Sequence, residues 1–192
     1  FIGDTPEQRA IANYEKIIEY VEANWDLYKD LEVIEVAVAG HPSNENCDYR
    51  CAHTGELLEA NTDYNFKVVY NQGAVGADAG VTFVENCLQA HPNVKIWLAN
   101  ADDAAIGIYQ ALNNAGKGSD PDQIITGIDA GNSFRELCEA GTAFRFSSYC
   151  TSSSCAETLL EVVPKLCNGE YAYQESIAIP TTTVSIENID IK

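Results

Sequence analysis

The sequence predicts an α/β fold, a doubly wound parallel sheet. Five short apolar runs rich in β-branched residues alternate with segments of helical period, and each run closes on small or polar residues. Strand and helix in strict turn give parallel neighbours, whose crossover connections place helices on both faces of the sheet.

The first helix opens at Asp4-Thr5-Pro6-Glu7-Gln8, with a capping residue, a proline in the first turn and a glutamine three places after Thr5. Ile11, Tyr14, Ile18 and Val21 then keep one apolar face at helical spacing. Beyond the polar stretch around Asp30, residues 33–39 form the first buried strand, closed by Gly40-His41-Pro42. Further strands are expected over 66–70, 94–98, 124–128 and 143–146, with helices over 48–60, 78–90, 103–115 and 133–140. In such sheets the ligand crevice lies beyond the carboxyl ends of the strands, so binding groups are expected in the loops after Val38, Tyr70, Leu98 and Ile128. Residues 147–154 are small and polar without a period and read as a hinge. A helix carrying Leu159, Leu160, Val163 and Leu166 follows and ends near Asn168-Gly169. Residues 176–191 read as extended, and no internal repeat is present.

The 192 residues are 46% hydrophobic and 21% charged, enough apolar material for a sizeable core. Eleven basic against 29 acidic residues give a net charge of −18, with the basic ones scattered, which argues against nucleic acid and anionic membranes as partners. No apolar run approaches the roughly 20 residues that span a bilayer. The chain lacks methionine and opens on Phe1-Ile2-Gly3-Asp4, which predicts that residues once preceded Phe1.

Of seven cysteines, Cys87 and Cys167 fall in apolar helical patterns and read as small buried hydrophobes. Cys47 with Cys51, and Cys150 with Cys155, are close pairs suited to local disulfides in an oxidising compartment, or to free thiols. Neither spacing has a histidine at zinc-site distance, so no metal is expected. Signatures of nucleotide, serine-nucleophile and zinc-protease chemistry are missing, and the three histidines His41, His53 and His91 are far apart in the chain. The Ser152-Ser153-Ser154 run sits in an apparent linker without strand-turn-helix context, so no enzyme and no cofactor are expected.

Local patterns nonetheless match a known family. Residues 86–94, Asn-Cys-Leu-Gln-Ala-His-Pro-Asn-Val, are followed by Ala99-Asn100-Ala101-Asp102-Asp103, then by Gly127-Ile128-Asp129, Leu166-Cys167-Asn168-Gly169-Glu170 and the tail Pro180-Thr181 through Val184-Ser185 to Glu187-Asn188. In order and spacing these resemble the sugar-type periplasmic solute-binding proteins of ABC transporters, over essentially the whole chain but about half of the family's usual length. The resemblance implies the C-terminal lobe of a two-lobed periplasmic-binding-protein type 1 fold, whose lobes close on ligand about a hinge. On that reading residues 1–146 form the ligand-binding lobe, 147–176 a hinge crossover and a helix belonging to the other lobe, and 177–192 the return crossover and tail.

The resemblance also implies site residues. Arg50, in the loop or first helical turn after Gly40, matches a family arginine that bonds sugar hydroxyls with its fork of donors; otherwise it is a solvated surface arginine. Asp129 matches a ligand-accepting aspartate at a strand end. Ala101 stands where the family has asparagine, so Asn100 is the substitute, while Asp102 or Asp103 reads either as a ligand group or as a helix N-cap. The loop 71–75 lacks the usual stacking aromatic, leaving Gln72; Tyr149 or Cys150 lies where the family brings a polar group through the second crossover, and Tyr149 offers either a stacking face or a hydroxyl. The implied function is capture of a small polar solute, a carbohydrate, for an ABC permease by an exported protein. The alternative is the sensing domain of a transcriptional regulator or periplasmic sensor of the same fold.

Overall fold

The computed structural model describes residues 2–170 and 177–191. Its chain order is β1 (Ile2–Gly3), α1 (Pro6–Ala23), β2 (Ile34–Gly40), α2 (Glu45–Ala60), β3 (Phe66–Gly73), α3 (Ala77–Ala90), β4 (Ile96–Ala99), α4 (Asp102–Asn114), β5 (Ile124–Ile128), α5 (Asn132–Glu139), β6 (Phe144–Tyr149), α6 (Ser152–Cys167), β7 (Ile177–Ala178) and β8 (Thr182–Val184), with short 3-10 turns at Trp25–Leu27 and Ile186–Asn188. Six strands form the main sheet in the order β3-β2-β4-β5-β6-β8. The first five are parallel, as expected, and β8 is antiparallel to β6 at the edge. Separately, β1 and β7 pair in parallel, bringing two distant chain segments side by side.

Burial on both faces explains why the strands read as continuous apolar runs. In β2, Val36 and Val38 join Ile17, Val21, Leu58, Ile96 and Leu98 under α1 and α2. The alternate residues Ala37 and Ala39 join Trp97, Ile108, Leu112, Phe134 and Phe144 on the face of α3, α4 and α5. The largest side chain of that second core is fully satisfied: Trp97 Nε1 donates to Gln123 Oε1 at 2.8 Å, and Gln123 Nε2 donates to the Val94 carbonyl at 3.1 Å. The predicted start of α1 holds as a complete capping box between Thr5 and Gln8.

Several boundaries differ from expectation. Residues 147–154 are no linker: Ser147, Ser148 and Tyr149 continue β6, Thr151 caps α6, and Ser147 and Ser148 are fully buried. The Ser152-Ser153-Ser154 run therefore opens α6, separated from the end of β6 by two residues, with Ser154 engaged by the Thr151 cap. Residues 71–73 belong to β3, and the tail folds into β7, β8 and a 3-10 turn in place of one extended run; Ser176 lies outside the described residues. Cys87 is buried as expected, whereas Cys167 is exposed at the end of α6.

Candidate functional site

All five parallel strands end at one edge, at Gly40, Gly73, Ala99, Ile128 and Tyr149. The helix that follows each strand begins there, so five helix N-termini point their free N–H groups toward the same edge. Side chains of Asn44 and Thr151 cap α2 and α6, while α3, α4 and α5 begin at Gly76, Ala101 and Gly131 with no side-chain cap. The strand order reverses between β3-β2 and β4, which opens a crevice beside the ends of β2 and β4.

Asn100 sits at that reversal, 2% exposed. Its Nδ2 donates to the carbonyls of Ala39 (2.8 Å), Gly40 (3.0 Å) and Ala74 (2.6 Å), so the amide stitches the end of β2 to the turn after β3. Two residues along, Asp102 is also buried and is the first residue of α4; the N-cap position itself is Ala101, so neither Asp102 nor Asp103 is the expected N-cap. Asp102 instead accepts from Ser147 Oγ at 2.6 Å and from the Gly131 amide at 2.8 Å, tying α4 to β6 and to the loop after β5. Burial pushes its carboxyl up to about 7, against the hydrogen bonds from Ser147 and Gly131 and with the charges of Asp129 and Asp103.

Asp129 follows β5 with φ 102°, and Ala130 with φ 47°, two successive non-glycine residues in left-handed backbone. Such conformations cost about 1–3 kcal/mol each and persist where neighbours fix them. Here the Asp129 amide donates to the Ser148 carbonyl at 2.9 Å and the Ala130 amide to Ser147 Oγ at 2.9 Å. The Asp129 carboxylate stays exposed and accepts from Arg9 Nη1 at 3.0 Å. Arg9 also holds Asp4, beside the β1 segment. Burial opposes the Arg9 charge, but hydrogen bonds and charges from Asp4 and Asp129 outweigh it and raise its pKa.

Arg50 lies in the second turn of α2, beyond the expected loop or first turn, and is half-buried. Its Nε is shielded from solvent without a hydrogen-bond partner, unlike a solvated surface arginine. The next turn of the same helix faces α1, since Thr54 Oγ1 donates to the Ala10 carbonyl at 3.2 Å. Gln72 is exposed near the end of β3, the edge strand. Tyr149 is half-buried at the end of β6, with the Arg135 guanidinium 6.0 Å from its ring centre.

The edge thus carries Gln72, Asn100, Asp102, Asp129 and Tyr149 together, with Arg50 one helical turn behind it. Sequence reasoning missed Arg9 and Ser147. Arg9 is the only basic residue among the first fifteen and lies in the second turn of a helix that begins beside Asp4, a signal of charge pairing that was available. Elsewhere, a hollow of about 310 Å³ opens at the opposite, amino-terminal end of β6, lined among others by Tyr20, Asn24, Arg145 and Phe146. Nothing in the strand-end geometry leads to it.

Comparison with known proteins accords with this geometry. A family model for the periplasmic binding protein domain matches residues 1–170. The ribose import binding protein RbsB of Bacillus subtilis (strain 168) is 35% identical over 68 residues, covering 35% of this chain and 21% of that protein. An ABC transporter solute-binding protein from Bacillus halodurans C-125, solved with bound myo-inositol, superposes with a TM-score of 0.75 at 23% identity, covering 99% of this chain and 61% of that one. AraP, an arabinose-binding protein from Geobacillus stearothermophilus, gives 0.78 at 15% identity, covering 99% and 64%. The chain spans less than two thirds of the length of these relatives. With one family model covering most of its length and a parallel sheet whose strand ends meet at one edge, the chain belongs to the periplasmic binding protein family.

Proposed function

We propose that this chain is the ligand-binding lobe of an exported solute receptor that closes on a small carbohydrate and presents it to an ABC permease. The observation that carries the reading is the gathering of Arg9, Gln72, Asp129 and Tyr149, donors, acceptors and one aromatic ring, at a single sheet edge whose shape the buried Asn100 amide fixes. A sugar presents alternating hydroxyl donors and acceptors on a compact ring, and fixed amide, guanidinium and carboxylate groups match that pattern. Relatives described as binding ribose, arabinose and myo-inositol support the solute class.

The division of labour along the chain is part of the proposal. Residues up to the end of β6 form the lobe; the strand runs three residues past the boundary expected at 146. The segment from there through α6 is a crossover and a helix that packs on the second lobe, and 177–192 is the return. Two features support it: β1 and β7 pair side by side, as two neighbouring crossovers would, and in α6 only Val162 is buried while Leu159, Leu160, Val163 and Leu166 are exposed. An exposed leucine stripe on one helix is a surface that asks for a partner.

Thermal unfolding of the two-lobed protein tests this. Ligand at a hundredfold excess over Kd stabilises by about 2.7 kcal/mol, which for a two-lobed protein of roughly 300 residues raises Tm by about 4 °C. The lobe alone is expected to shift far less, because half of the contacts are missing. No shift with any of a broad panel of pentoses, hexoses and inositols at millimolar concentration would sink the carbohydrate assignment.

A further inference from the structure

We infer that Cys150 and Cys155 close into a disulfide by exchange with a small disulfide donor, making the junction between β6 and α6 a covalent clamp set by its surroundings. The inference is independent of which solute the edge accepts.

The two sulfurs lie 3.2 Å apart, the one sulfur pair in contact among the described residues. A bond of roughly 2.05 Å requires only small side-chain rotations from that separation. The backbone between them is already fixed. Thr151 Oγ1 accepts from the Ser154 amide at 3.0 Å, and the Cys155 amide donates to the Thr151 carbonyl at 3.0 Å, so no ordering of the turn has to accompany closure. Both cysteines are half-exposed and within reach of a small oxidant.

The other candidate pair does not share this geometry. Cys47 and Cys51 both lie in α2, and the buried Cys51 thiol donates away from Cys47 to the carbonyls of Asp48 (3.2 Å) and Ala39 (3.5 Å). Cys138 likewise donates to the Arg145 carbonyl at 3.7 Å, and Cys87 is fully buried.

The chemistry balances as two exchanges. A thiolate of the pair attacks a donor R–S–S–R, breaking its S–S bond and releasing R–SH; the second thiol loses its proton and displaces the remaining R–SH. The protein loses two hydrogens and two electrons, and the donor gains them. Burial first, then the Cys155 thiol and Asp4, push the Cys150 thiol up to about 12, which disfavours Cys150 as the first attacking thiolate. Because Cys150 directly follows β6 and Cys155 is the fourth residue of α6, the bond locks the angle between strand and helix.

Trypsin provides a direct test, since residues 146–165 form one peptide whose only cysteines are Cys150 and Cys155. The folded chain is reduced, incubated with oxidised glutathione, alkylated under denaturing conditions and digested. The expected peptide is unalkylated and two hydrogen masses lighter, while Cys51, Cys87 and Cys138 are alkylated. Cys150→Ser is expected to leave a stable glutathione on Cys155, and Cys155→Ser to leave Cys150 largely unmodified. The wild-type peptide emerging with two alkyl groups or two glutathiones overturns the assignment, whatever the variants do. Amide exchange in the first turns of α6 is expected to slow severalfold on oxidation; unchanged exchange overturns the clamp.

Discussion

Alanine at Gly107 is expected to destabilise the fold by about 3–5 kcal/mol, seen as a urea midpoint that collapses at unchanged far-ultraviolet signal in dilute buffer. Gly107 lies where α4 crosses α3. A Cβ there would sit inside the Ala77 carbonyl group, 2.7 Å from its carbon and closer still to its oxygen. Gly80 makes the reciprocal approach, its Cβ direction aimed at the Ala104 carbonyl and 3.1 Å from the Ile108 amide nitrogen. The obstacle in both cases is backbone, which cannot rotate away, so one helix must move. Separating α3 and α4 also shifts Asn100 and Asp102, which sit at the amino-terminal end of α4. Since either substitution pushes the same pair of helices apart, Gly80→Ala with Gly107→Ala is expected to cost less than the two singles added. Gly107→Ala with an unchanged midpoint would show that α4 does not approach α3 this closely.

The second large effect is one of pH. The Asp102 carboxyl titrates at about 7 in the folded protein, raised first by burial, while in the unfolded chain it titrates near the usual carboxylate value of about 3.9. Between those values the folded state holds the proton and the unfolded state does not. Protonation therefore favours folding, and this contribution is present at about pH 4 and lost as pH rises through about 7. Three pH units correspond to on the order of 4 kcal/mol, the upper bound for this one group. Asp102→Asn is expected to flatten that slope: its Oδ1 still accepts from Ser147, while its amide nitrogen cannot accept from Gly131, a loss of about 1–2 kcal/mol at low pH. Urea unfolding of both proteins from about pH 4 to about pH 8 checks it. Parallel curves for the two would mean that Asp102 is ionised in the fold throughout.

What the sequence disclosed and what it hid follow the range of the interactions. Strand β2 was legible because Val36 to Ala39 are all apolar, as burial on both faces demands, and α1 because its capping box lies within four residues. Strand β6 was cut short because Ser147 and Ser148 look like linker residues, yet they are buried by partners far away in the chain: Ser147 Oγ by Asp102 and Ala130, the Ser148 carbonyl by Asp129. Residue type could not announce a polar strand end whose hydrogen bonds are supplied from other loops. The site divides in the same way. That Asn100 and Asp129 stand at strand ends follows from the alternation of elements, but the threefold amide clamp of Asn100 and the pairing of Asp129 with Arg9, 120 residues apart, exist only after folding.

The central claim is that solute meets this chain at the carboxyl edge of its sheet. Amide chemical-shift mapping of the isotope-labelled two-lobed protein, titrated with a sugar that raises its Tm, locates the contact directly. Expected are the largest shifts at Arg9, Gly40, Gln72, Asn100, Asp129 and Tyr149. Shifts confined to the hollow at the far end of β6, around Tyr20, Arg145 and Phe146, with the strand ends silent, would contradict the account.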